Sequence, residues 1–322
     1  MRKLFLASSA LAASVMMVDI GLAGTLIPVV PPPGSTYTAV FGINDNDVIV
    51  GSWFDSAGVE HGFFGTLDGN YTPIEVTGQP DVIGTEPRGI NNDGFIAGTA
   101  YANGFCFGYE FLRKPNGMIG LFKNDDGVPL DGTAQGITVN AQSSGDYFTN
   151  GCANRTGYYA KGGNYKHDLK LSVDAPIVRV RGINKSLTYS GAFNDSAGVL
   201  HGFLLQNGVT KVIDYPSKKS VGSGFQAIND KGLVTGGWSD ADGGNHPFTY
   251  DSSSGTFTPF TPKELTGFVT LWGLNNSGLL AVQTDAGISY IYCPRKKSRC
   301  PKGGSATVGV KPSLAASPRI SP

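Results

Sequence analysis

The tripeptide Gly-Ile-Asn occurs at 42–44, 89–91 and 182–184, with close variants at 136–138, 227–229 and 273–275. Successive starts are 47, 47, 46, 45 and 46 residues apart. Nine residues after each start come Gly51, Gly98, Gly145, Gly191 and Gly236, with Val282 the one exception. Two registers agreeing over five or six copies mark a repeat protein, in which each copy is one supersecondary unit.

Alternation of apolar and polar residues reads the first copy as strands at 39–43, 48–54, 59–66 and 71–76, separated by Asn-, Asp- and Gly-rich turns. Those residue types supply the positive φ of tight hairpins. The fourth copy repeats the pattern at 179–183, 187–193, 200–205 and 210–215. Four antiparallel strands per copy of about 46 residues, repeated six times, predict an all-β, six-bladed β-propeller. The sixth copy has only three strands, at 269–275, 278–283 and 287–292. The missing strand is expected at 25–31, so that an N-terminal strand completes the last blade and removes the open edge of the ring.

Composition agrees with many short strands. Gly and Pro together make 65 of 322 residues, about a fifth, against roughly 12% in an average chain. Only 16% of residues are charged, while 40% are hydrophobic, enough to bury a core.

Arg2 and Lys3, an uncharged stretch at 4–17, and small residues Gly21 and Ala23 before Gly24 read as a secretory signal. Asp19 ends the apolar stretch after about 15 residues, too short to span a bilayer. The chain is therefore expected to be exported, secreted or periplasmic, and not an integral membrane protein. The predicted organisation is a signal peptide at 1–23, the propeller at 24–292, and a disulfide hairpin with a basic disordered tail at 293–322. The body carries 16 basic and 24 acidic residues, whereas the segment from 293 carries seven basic residues and no acid. A net charge of −8 on the body excludes a nucleic-acid partner, which would need a basic face. The protein is expected to act as a monomer.

His61-Gly-Phe, His201-Gly-Phe and His246-Pro-Phe each follow the Gly-Ile-Asn signature by about 19 residues. With that signature they resemble the bacterial extracellular HAF repeat, over about residues 25–292. Gly or Pro replaces the middle Ala, and copies two, three and six lack the His. The resemblance implies export and a propeller-like fold, and it implies no particular activity.

Residues recurring in every copy are read as structural. His61, His201 and His246 fall at one repeat position, so they are expected to hydrogen-bond within their own blades; His167 falls in a polar turn of copy three. Asp55, Asp195, Asp240 and Asp242 lie in the loops between second and third strands and are read as turn formers, because hard cations want six to eight oxygens. Cys293 and Cys300 are expected to clip a local hairpin. Cys106, placed in the third strand of copy two, and Cys152, just before the third strand of copy three, are expected to staple neighbouring blades. The Cys-x2-Cys spacing of zinc sites is absent, and no metal or cofactor is expected. The sequence has no Gly-x-Ser-x-Gly elbow, no His-Glu-x-x-His and no phosphate-binding Gly-rich loop. Ser223, in Val-Gly-Ser-Gly-Phe, lacks the elbow spacing.

Residues that break the repeat are the candidates for function. Just before each signature stand Phe41, Arg88, Gln135, Arg181, Gln226 and Trp272, and two residues earlier Glu86 and Arg179 interrupt a run of small side chains. First strands of a propeller line its axial channel, so these side chains are expected at one channel mouth. Arg supplies a planar fork for carboxylate or phosphate and Trp a stacking face, which suits a polar, anionic or sugar-like ligand. The expected function is an exported binding or interaction module, its partner a small polar ligand or an extracellular protein. A lyase or hydrolase of sugars or esters, using Glu86 with Arg88, Arg179 and Arg181, is the alternative, and a structural envelope protein is a third class. Packing of these side chains between blades, with Glu86 pairing Arg88 or Arg179, is the competing reading of the same residues.

Overall fold

The computed structural model describes residues 24–294, 300 and 301. The expected signal segment, residues 295–299 of the expected hairpin and the expected tail from 302 lie outside the described residues. β1 (Gly24–Pro28) precedes a series of antiparallel meanders. The first is β2 (Tyr37–Ile43), β3 (Ile49–Phe54), β4 (Glu60–Gly65) and β5 (Tyr71–Ile74). The second is β6 (Val82–Ile90), β7 (Ile96–Ala102), β8 (Gly108–Arg113) and β9 (Ile119–Leu121). β10 (Gly132–Thr138), β11 (Gln142–Thr149), β12 (Asn154–Lys161) and β13 (Asn164–Leu169) form the third. β14 (Ile177–Ile183), β15 (Tyr189–Asn194), β16 (Leu200–Gln206) and β17 (Val209–Val212) form the fourth. The fifth comprises β18 (Ser220–Ile228), β19 (Leu233–Asp240), β20 (Asn245–Asp251) and β21 (Thr256–Pro259). In the last, β22 (Val269–Leu274), β23 (Leu280–Thr284) and β24 (Ser289–Pro294) are joined by β1, whose Gly24 lies opposite Pro294 and Pro28 opposite Tyr290.

The two repeating registers have separate physical reasons. The glycine nine residues on sits in the second strand, directly under the first strand and an aromatic of the third. A Cβ on Gly51 would stand 2.0 Å from Ala39 O and 3.0 Å from the Phe63 ring; on Gly191 it would stand 2.1 Å from Arg179 O and 2.9 Å from Phe203. Only a residue without Cβ admits that approach. The signature glycine answers to a different neighbour: a Cβ on Gly89 would meet Gln135 O at 2.5 Å, and one on Gly273 would meet Phe41 O at 2.3 Å. First strands of successive meanders thus run backbone against backbone.

The signature asparagine closes the hairpin and reaches onward. Asn44 Oδ1 accepts from the amides of Asn46 and Val48 (both 3.0 Å), and its Nδ2 donates to Asn91 O of the next meander at 3.0 Å. Asn91, Asn184 and Asn229 do the same to Thr138 O, Asn229 O and Asn275 O, and Asn275 donates to Asn44 O at 3.0 Å. These amides are buried, so each lost bond leaves an unsatisfied partner. Asn275→Ala is expected to destabilise by about 2 kcal/mol, because Leu279 N loses its acceptor and the tie to Asn44 is cut. Urea unfolding of the variant checks this; an unchanged midpoint would show that the belt carries no stability. Between meanders the core is aliphatic and aromatic, as where Val50 and Ile74 pack with Ile90, Ile96 and Phe111.

Candidate functional site

Each first strand carries a bulge at the same place. Pairing with the second strand skips a residue between Val40 and Gly42, Pro87 and Gly89, Ala134 and Gly136, and Val180 and Gly182, and skips two between Phe225 and Ile228 and between Leu271 and Leu274. Bulges re-aim side chains, and here they turn out of the ladder the six residues that precede the signature. All six, Phe41, Arg88, Gln135, Arg181, Gln226 and Trp272, line one cavity of about 80 Å3, the throat. On one side it opens to a mouth of about 500 Å3, which shares Phe41, Arg88, Arg181 and Trp272 with it. On the other side a ring of five Ile and Leu274 separates it from the asparagine belt.

Of the residues singled out in the sequence, Arg179 is not part of this constellation. It lines neither cavity, and its Nη1 donates to Asn194 Oδ1 at 2.7 Å. Glu86 lines the mouth and forms an ion pair with Arg88 Nη2. Tyr101 Oη also donates to Glu86 Oε1, at 3.0 Å. Burial works against the Arg88 charge, but Glu86 and Tyr101 outweigh it and raise its pKa. The guanidinium lies 4.9 Å from the Phe41 ring and 5.4 Å from Trp272, and its Nη1 donates to Gln135 Oε1 at 3.4 Å. Arg88 is therefore committed, and that part of the competing packing reading holds.

Arg181 is not committed. Among the described residues it has no ion pair and no hydrogen bond. Burial pushes its pKa down to about 9; Asp146 works the other way, while the like charges of Arg88, Arg155 and Arg179 add to burial.

The sequence reading missed Glu60, Tyr101 and Arg155, all of which line the mouth. Glu60 is 8% exposed and accepts from Ser52 Oγ at 2.6 Å. Burial, with the Glu86 charge behind it, pushes its pKa up to about 8; the Ser52 hydrogen bond and Arg88 only partly offset this. At neutral pH it holds a proton beside the Arg88-paired Glu86. Arg155 lies opposite Phe148, the slot where His61 lies opposite Trp53 and His201 opposite Phe193. It pairs with Asp146 and lies 4.7 Å from the Phe148 ring. The signal was legible as the residue that replaces the missing histidine of copy three.

The three repeat histidines stay in their own meanders. His61 bonds Glu75 at 3.0 Å and Asp55 at 3.4 Å and stacks on Trp53; His201 bonds Asp214 at 2.8 Å and Asp195 at 3.4 Å and stacks on Phe193. Burial lowers both pKa values, but the carboxylates prevail and both are raised. His246 bonds Asp240 at 2.8 Å and stacks on Trp238. Asp55, Asp195 and Asp240 each accept from two backbone amides of their own turn. His167 is not in a turn: it lies in β13, opposite Tyr159.

Cys293–Cys300 and Cys106–Cys152 are disulfides, with Cα separations of 5.8 and 5.6 Å. Cys106 precedes the third strand of its meander instead of lying in it, because Asp131 holds that loop out of the ladder by accepting from the amides of Cys106, Phe107 and Gly108. Its bridge ties the rim of the mouth to the β11–β12 loop. No helix among the described residues is long and apolar enough to cross a membrane.

No protein-family model matches the chain, and no curated protein does. Among solved structures it is similar to TolB from Acinetobacter baumannii (TM-score 0.50, 11% identity), over 77% of this chain and 64% of TolB, less than two thirds of that protein's length. It is also similar to XC5397 from Xanthomonas campestris, described as a gluconolactonase (0.50, 12%, 86% of this chain and 100% of that one), and to AofleA from Arthrobotrys oligospora (0.51, 12%, 81% and 84%). At such identities the likeness carries the fold alone: an all-β, β-propeller-like module.

Proposed function

We propose that the chain is an exported six-bladed propeller, closed by its N-terminal strand, that binds a small anionic ligand at one end of its axial channel. Closure is supported by the pairing of β1 with β24 and by the bonds from Asn275 and Asn276 to Asn44 and Asp45. Export is supported by two disulfides and by the signal-like pattern before Gly24. The HAF-repeat resemblance agrees with both.

The observation that carries the ligand reading is the uncompensated cation. An Arg held in a cavity wall without a carboxylate is costly unless something supplies one. Thermal shift of the mature, oxidised protein against organic anions, phosphate and neutral sugars tests it. An anion at a hundred times its Kd stabilises by about 2.7 kcal/mol and raises the midpoint accordingly. Arg181→Gln is expected to abolish that rise; an anion-induced rise that persists in the variant would place binding elsewhere.

A second reading has one observation in its favour. Glu60 and Glu86 put a protonated carboxyl and an arginine-paired one in one cavity, the pairing that general acid–base hydrolysis uses. Release of product from aryl glycosides or esters, lost in Glu60→Gln, would favour it over simple binding.

A further inference from the structure

The throat and the mouth offer different things to a ligand. In the throat ring, Trp272 Nε1, Gln135 Nε2 and Arg88 Nε are buried without a hydrogen-bond partner, and Arg181 has no counter-ion. Every one of these orphans is a donor, so the missing group is an acceptor. At about 80 Å3 the throat holds the equivalent of two or three waters, enough for a carboxylate and too little for a sugar ring. Arg88 is already neutralised by Glu86, which leaves one free guanidinium in the ring and matches a monoanion better than a phosphate dianion.

The mouth, about six times larger, adds two carboxyl groups, hydroxyls and flat apolar faces to the arginines it shares or holds. Glu86 and the Ser52-bonded Glu60 lie beside Phe54, Phe107 and the shared Trp272. An alkyl chain there would cover the free lone pairs of Glu60 and Glu86 and the polar ends of Tyr101 and Ser52 without adding a hydrogen bond to any of them. A sugar supplies hydroxyl donors at its rim and a C–H face for the aromatic rings.

We infer that the site takes a sugar acid, a monosaccharide bearing one carboxylate or a glycoside of one, bound carboxylate first. The carboxylate occupies the throat against Arg181, and the hydroxyls reach Glu60 and Glu86 in the mouth. This rests on the anionic-ligand reading above and deepens it to a ligand class and an orientation.

The test is isothermal titration calorimetry of the mature, oxidised protein with D-glucuronate, D-galacturonate, D-gluconate, D-glucose, D-glucose 6-phosphate and butyrate. At least one sugar acid is expected to bind ten times tighter or more than both glucose and butyrate. Arg181→Gln should reduce its affinity at least tenfold, and Glu60→Gln should weaken the sugar acid while leaving butyrate unchanged. If butyrate binds as tightly as every sugar acid, the anion site stands and the sugar-acid class falls. If glucose matches the acids and Arg181→Gln has no effect, the carboxylate-first pose falls. Glucose 6-phosphate binding tightest replaces the carboxylate by phosphate and overturns the class. If nothing binds, the anionic-ligand reading falls with it. Thermal unfolding of each variant alone reports whether a loss of binding is a loss of fold.

Discussion

Glu60→Gln is expected to flatten the pH dependence of stability between about pH 4.5 and 8 and to raise Tm at pH 8. In the fold the Glu60 pKa is pushed up to about 8, whereas in the unfolded chain it lies near 4.5. The native state therefore keeps a proton that the unfolded chain releases, and stability falls as pH rises through this window. Below pH 4.5 the group contributes nothing to the slope; by pH 8 the accumulated loss is on the order of 4 kcal/mol. His61 and His201, whose pKa values are raised, lose stability in the same direction as pH rises from about 6.5, and that part remains in the variant. At the acid end Asp55, Asp195 and Asp240 act with the opposite sign: their pKa values are lowered, so their stabilisation disappears below about pH 3.8. The wild type should be most stable near pH 4–5. Urea midpoints measured from pH 4 to 8 decide the matter, and parallel curves for wild type and variant would mean that Glu60 ionises as an exposed carboxyl does.

The repeat was legible because its glycines and asparagines serve backbone needs that recur in each meander. Gly51 and Gly191 make room for a carbonyl and a ring, and Asn44 and Asn275 each accept from an amide of their own meander and donate to a carbonyl of the next. Such demands leave few permitted residue types at a fixed spacing, and Thr138, Ala227 and Val282 are the departures. The throat ring was legible for a related reason, since it occupies the slot beside the signature, although the bulge that turns it to the axis left no mark in the spacing. Glu60, Tyr101 and Arg155 were not found. Arg155 carried one mark, its place in the slot of the missing histidine, whereas the slots of Glu60 and Tyr101 tolerate many side chains and read as ordinary strand until the neighbouring meander is placed against them; Glu60 lies opposite Gly84 of β6. Arg88 and Arg181 hold equivalent positions and differ by what stands two residues upstream: Glu86 before Arg88, which the sequence already offered as a partner, and Arg179 at the matching place before Arg181.

That exchange of an acid for a base leads to the second large effect, Arg181→Gln. The empty variant is expected to be more stable than the wild type, by on the order of 3 kcal/mol, because burial and the like charges of Arg88, Arg155 and Arg179 disfavour the Arg181 guanidinium more than Asp146 favours it. For a domain of this size that is a rise in Tm of roughly 5 °C or more. Most substitutions of buried residues destabilise, so the sign alone is diagnostic. Arg88→Gln is the control, since it breaks the pair with Glu86 and leaves that carboxylate buried alone; it should lower Tm. If both variants lose stability alike, Arg181 is a packing residue and the throat has no vacancy for an anion. If Arg181→Gln gains stability without ligand and loses the response to anions, the wild type retains a destabilising charge in its channel wall that an anion would compensate. That trade between stability and binding is what separates a binding site from the structural asparagine belt on the other side of the isoleucine ring.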